Sequence, residues 1–185
     1  MNFEAETEAT PLTSEQDAEL KAIAIARAPA ELAEVEAAKS EEELFYALPG
    51  GAIAAFQLER YAYAKELAEK ALTLASSYAD NWNYGNALHS AHSVLGLLAL
   101  HDSQVSEAVY ELKKAGATPG SPQLDTFGPT MQLAKALLKC GESEAVLAYL
   151  QQCRDFWEMG TVWLDLWEKK IRTGEIPNFF MHCYR

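Results

Sequence analysis

Cysteine is scarce in this 185-residue chain: Cys140, Cys153 and Cys183 are far apart and odd in number. No pair has the close spacing of a zinc or redox motif, and a chain of this size buries a core without a disulfide framework. Cys140 and Cys153 therefore read as small buried apolar residues. Bases are few as well, 15 Lys and Arg against 27 Asp and Glu, for a formal net charge of −12. That balance repels phosphate backbones and anionic lipid, which argues against nucleic-acid and membrane partners. No apolar stretch reaches the ~18 residues needed to cross a bilayer. The opening "MNFEAETEATPLTSEQ" is acidic where a secretory leader is basic and then apolar. A soluble, cytoplasmic protein is the simplest expectation. Missing too are Ser-x-x-Lys, Gly-x-Ser-x-Gly, a phosphate-cradling glycine loop and the metalloprotease histidine pair. No catalytic residues and no cofactor are assigned.

What is present is helical. Apolar residues make up 49% and charged residues 23%, a globular balance. The negative charge is concentrated in residues 1–50, where twelve acids face only Lys21, Arg27 and Lys39. This suggests either a basic partner or a segment that folds back into a groove of its own chain. Residues 1–12 read as an acidic tail and 13–185 as one helical domain. Ser14 with Asp17 is expected to cap "EQDAELKAIAIARA", and Pro29 to interrupt it before "AELAEVEAAK" resumes. "SEEELFYAL" carries a capping box on Ser40 and Glu43. Pro49-Gly50-Gly51 should then break or kink the chain, with Pro49 in the first turn of a new short helix. Beyond it apolar residues recur at three and four: Ala64, Leu67, Ala68 and Ala71; Leu88, Val94, Leu95 and Leu98; Val109, Leu112 and Ala115. "PGSPQLDTFGP" (119–129) reads as one long polar connection.

The helices come in pairs. In "HSVLGLLALHDSQVSEAVYELKKAGATPGSP", Leu95-Gly96, then Ala108, Leu112 and Ala115, then Pro119, resemble the signature of a tetratricopeptide repeat. The pattern returns at Ala64, Ala68 and Ala71, and again at Leu133-Ala134, Val146, Leu150 and Cys153. The resemblance departs from the family where His92 and Thr130 stand in place of an aromatic, and where Gly51 replaces leucine. It implies an all-α solenoid of about three helical hairpins, at 42–76, 80–118 and 127–155. A helical extension precedes them, and a Trp-rich capping helix over 156–176 follows. Residues 80–160 are also similar to bacterial repeat proteins with a "YGNALH … LG … TPGSPQL … FGP … LA" pattern, which lends no activity. Trp163, Trp167 and Ile171, with Leu164, read as core of the cap. The tail "IPNFFMHCYR" either packs back on the body or joins a homodimer interface.

The family's inner-face positions imply a peptide groove along Ser90, Ser93, Leu97 and Leu100, a face that extends back to Asn86 and Asn83 and is continued by Gly128, Met131, Lys135 and Leu138. Amides and hydroxyls in a row can hydrogen-bond an extended peptide without demanding charge. Lys135 is the only base among them, which argues against a clamp for acidic tails. The expected function is a non-enzymatic scaffold for a protein or peptide partner. His89 and His92, three apart on one helix, are weak metal candidates because His101 and Asp102 lie too far along the axis to share an ion. A helical metal protein or enzyme built on that pair, and a structural homo-oligomer, are the alternatives.

Overall fold

A computed structural model of the chain describes residues 12–179 and 182–184. The acidic stretch before residue 12 lies outside the described residues. Nine α-helices succeed one another with no β-strand among the described residues. They are α1 (Ser14–Ala37), α2 (Glu41–Gln57), α3 (Tyr61–Ala75), α4 (Tyr84–His101), α5 (Val105–Gly116), α6 (Pro122–Phe127), α7 (Gln132–Lys139), α8 (Ser143–Cys153) and α9 (Thr161–Arg172), with a 3-10 turn at Glu158–Gly160 before the last. No helix among the described residues is long and apolar enough to cross a membrane.

The starts of α1 and α2 follow capping chemistry, each with a shift of one residue. Thr13, not Ser14, caps α1: its hydroxyl accepts the Gln16 N–H at 3.1 Å, and the Gln16 side chain accepts the Thr13 N–H at 2.9 Å. Ser40 caps α2 by accepting the Glu43 N–H at 3.1 Å, but the Glu43 carboxylate reaches back to the Lys39 N–H, one residue earlier than expected. Both expected proline breaks are absent. α1 runs unbroken through Pro29, because Pro29 and Ile25, whose carbonyl loses its donor, lie on an exposed face between strong helix formers. α2 runs through Pro49 for a reason that lies in α4, given below.

One turn closes three hairpins. Between α2 and α3, α4 and α5, and α7 and α8, the second residue of the connection takes a left-handed conformation: Glu59 at φ 58°, Ser103 at φ 61° and Gly141 at φ 88°. In each, the next amide reaches back to a carbonyl in the last turn of the helix before it: Arg60 to Ala55, Gln104 to Ala99, Glu142 to Leu137. This is the bonding that satisfies the carbonyls left open at a helix end. The hairpins stack as neighbours. α2 packs on α3 and α4, α4 on α5, α4 and α5 on α7, and α5 also on α8, which carries α9. Segments 45–75 and 85–118 therefore lie side by side.

α4 is the axis of the molecule. Its Gly85, Ala87, His89, Ala91, Ser93, Val94, Gly96, Leu97, Leu98 and Ala99 are all buried, so it is enclosed on nearly every side. Two apolar clusters meet on it, one reaching back to Ala28 and the other forward to Cys183. A Cβ on Gly96 would stand 2.3 Å from a Leu133 methyl, so the missing side chain is what lets α7 approach. Trp167, Leu164 and Ile171 are buried in α9 as core, and the tail folds back on them. Phe179 meets the Trp167 ring edge-on at 5.0 Å, and His182 contacts Trp157, Trp163 and Trp167. Cys153 and Cys183 are buried, but Cys140, expected inside, is exposed where α7 ends.

The shared turn makes opposite outcomes testable. Ser103→Gly should raise the unfolding free energy by about 1 kcal/mol, and Gly141→Ala should lower it by a similar amount, since only glycine adopts the left-handed region without steric cost. Urea denaturation of both variants checks the two signs.

Candidate functional site

The site begins with an amide hydrogen that does not exist. Pro49, inside α2, cannot donate to the carbonyl of Phe45 one turn back. The side chain of Asn83 donates to that carbonyl instead, at 3.2 Å, in a buried position. One residue type thus repairs the helix and fixes the start of α4 against it. Two turns further along α4, the Ser90 hydroxyl donates to the carbonyl of Pro49 itself at 3.0 Å. The segment 117–131 is sewn over the other side of α4. The Thr118 hydroxyl donates to the Gly85 carbonyl at 2.9 Å. A Cβ on Gly85 would stand 1.8 Å from the Gly120 carbonyl oxygen, so two glycines allow backbone to meet backbone there.

Within the expected polar connection sits the short helix α6. The Ser121 hydroxyl accepts the Leu124 N–H and itself donates to Asn86 Oδ1 at 2.7 Å. Asn86 Nδ2 in turn donates to Asn83 Oδ1 at 3.0 Å and to Gln123 Oε1 at 3.3 Å. The result is a chain of amides and hydroxyls along one wall of a cleft of about 310 Å³. Tyr46, Pro49 and Ile53 of α2 form the opposite wall, and Phe127 and Gly128 lie at the far end. Trp82 stacks on Tyr46 at 5.2 Å and is about half exposed, as is Phe127. Glu42 accepts from the Tyr46 hydroxyl at 2.7 Å, leaving the acidic first turn of α2 beside the cleft.

His89 lies at the floor, and its role follows from its two bonds. Nε2 accepts the Thr130 N–H at 3.1 Å, so the ring proton sits on Nδ1, which donates to the Ala115 carbonyl at 3.2 Å. Complete burial pushes its pKa down to about 4, only partly offset by the Ala115 carbonyl. The ring is a neutral strut joining α4, α5 and the segment before α7. Both nitrogens are taken, so His89 is not placed as a metal ligand. His92 is turned to a different partner, with Nδ1 2.7 Å from Glu111 Oε2. Among the described residues no group of three His, Cys, Asp or Glu side chains is placed to hold a metal ion.

The residues expected to form one continuous groove separate into three settings. Asn83, Asn86 and Ser90 line the cleft, with Gly128. Ser93 is buried and donates to the His89 carbonyl one turn back, and Met131 is wholly enclosed in the core, where its N–H donates to the His182 carbonyl. Leu138 is buried too. Leu97 and Lys135 line a second cavity further along α4, towards its C-terminal end. Lys135 is covered by its own chain: Nζ donates to Asp17 Oδ1 at 3.0 Å and to the Asn178 carbonyl at 3.2 Å. Gln123, Phe127 and Tyr46 belong to the cleft although the sequence reading left them out. Ser121-Pro122, a capping residue followed by proline, is the signal that marks α6.

Compared with family models, with curated proteins and with solved structures, the chain matches none.

Two outcomes follow from these bonds. Asn83→Ala leaves the Phe45 carbonyl buried without a donor and should cost about 1–3 kcal/mol in chemical denaturation. Unfolded histidine titrates near ~6.5, so between that pH and about 4 the unfolded chain holds a proton that folded His89 refuses. Stability carried by His89 is therefore full above ~6.5 and falls by about 3 kcal/mol as pH drops towards 4. The margin by which the native protein exceeds His89→Gln should shrink by that amount between neutral pH and pH 4, read from urea unfolding at each pH.

Proposed function

We propose that this chain is a non-enzymatic peptide-binding scaffold, built as a short array of tetratricopeptide-like hairpins, and that its binding surface is the cleft over α4. The observation that carries the reading is the uncharged wall of Asn86, Ser90 and Gln123 facing Tyr46 and Ile53, with half-exposed Trp82 and Phe127 nearby. Amides at fixed positions suit the alternating donors and acceptors of an extended backbone, and the flat rings supply apolar contact at small entropic cost. His89 has both ring nitrogens bonded, to the Ala115 carbonyl and the Thr130 N–H, and the neighbouring Ser90 hydroxyl donates to the Pro49 carbonyl, so neither is engaged with the other as a serine–histidine pair. The three identical left-handed turns support the repeat reading, since each helical pair is closed by the same local solution.

The charge beside the cleft points to the partner's character. Glu41, Glu42 and Glu43 in the first turn of α2 flank the Tyr46 side, which suits a basic residue in the bound segment. The partner is thus a basic, extended peptide segment of another protein.

The test is selection of peptides from a random display library on the full chain, followed by fluorescence titration of the best of them. Gln123→Ala combined with Phe127→Ala, both at accessible positions, should weaken binding at least about tenfold while leaving the thermal midpoint close to native. Selected peptides that bind this folded double variant as tightly as the native chain would remove the cleft as the binding surface.

A further inference from the structure

The second cavity, of about 380 Å³, lies where the ends of α1, α2, α4 and α7 meet the last residues of the chain. Its charge is opposite to that of the protein as a whole. Lys21, Lys135 and Lys139 line it against a single acid, Glu59. Lys135 and Lys139 are one turn apart on α7, as Asp17 and Lys21 are on α1. Asp17 on α1 meets Lys135 on α7 at 3.0 Å. One turn further along α1 stands Lys21, and one turn further along α7 stands Lys139. Both line the same space, on either side of the Asp17–Lys135 pair, and among the described residues neither is in an ion pair.

The Asp17–Lys135 pair shows what this place accepts. The Asp17 carboxylate takes an ammonium N–H on one oxygen and the Tyr184 hydroxyl, at 3.0 Å, on the other. Burial alone would raise the Asp17 pKa, yet Lys135 and Tyr184 outweigh it and hold the group below the usual carboxylate range. Beneath the charged rim the lining is apolar: Phe56, Leu97 and Leu100, with the Tyr61 ring tilted over His101 at 4.0 Å. A fully hydrated inorganic anion has no use for that surface, whereas a carboxylate with a hydrocarbon body satisfies both parts.

We infer that this cavity is a binding site for a small amphipathic carboxylate, its head taken by the unpaired lysines Lys21 and Lys139 and its hydrocarbon body laid on Phe56, Leu97 and Leu100. The volume is within the range of ordinary small-molecule pockets. The site is separate from the cleft over α4 and does not depend on the peptide-binding reading.

Titration calorimetry of the full chain with octanoate, octanamide and inorganic phosphate separates the parts of the inference. Octanoate should bind saturably, octanamide at least about tenfold more weakly, and phosphate more weakly still. Lys21→Gln combined with Lys139→Gln, both exposed and free of structural bonds, should weaken octanoate at least about tenfold with an unchanged circular-dichroism melt. Octanamide binding as tightly as octanoate, or native affinity in the double variant, would overturn the role of the lysines. Phosphate binding as tightly as octanoate would overturn the role of the apolar floor, and no octanoate binding at millimolar concentration would overturn the site.

Discussion

A proline with no hydrogen to give sets the geometry of this molecule. Pro49 opens the bonding ladder of α2 at Phe45, and a buried carbonyl without a donor costs as much as a lost hydrogen bond. Asn83 meets that need from 38 residues away, and Ser90 binds the proline's own carbonyl. Two bonds a helical span apart fix both the height and the rotation of α4 against α2. Since α4 touches α2, α3, α5, α6 and α7, its placement passes to the rest of the stack. Asn86, the member of the same helix that ties down α6, reaches its position for the same reason.

Much of the fold was legible from the spacing of apolar residues. Ala64, Leu67, Ala68 and Ala71 mark α3, and Ala108, Leu112 and Ala115 mark α5, because a helix with one buried side writes that period into its sequence. Gly141 announced its turn, whereas Glu59 and Ser103 adopt the same left-handed geometry without a glycine to advertise it. The prolines misled for a different reason. The local rule that Pro ends a helix fails where the freed carbonyl faces solvent, as at Pro29, or where a distant group replaces the missing bond, and nothing around Pro49 tells of Asn83.

The site was legible in part for related reasons. Asn83, Asn86 and Ser90 follow one another along one face of α4, a spacing visible in the sequence, and they line one cleft. Ser93 and Met131 lie on the extension of that face but are buried, Met131 where residues 178–179 and 182–184 return across the start of α7. Folding back of a tail is a tertiary event that no local period records. The acidic first fifty residues carried a real hint of this: Asp17 occupies the one lysine of the inner face, so part of that charge is answered within the chain.

Asp17 also bonds Tyr184, so the polypeptide is cinched into a ring with almost its whole length inside the loop. Closing so large a loop repays its entropy only after the intervening helices have condensed. The clasp is therefore among the last contacts to form during folding and the first to open. Its release would part the beginning of α1 from Tyr184 while Phe179 and His182 stay packed on Trp167, so the start of α1 would open to a protease before the returning tail does.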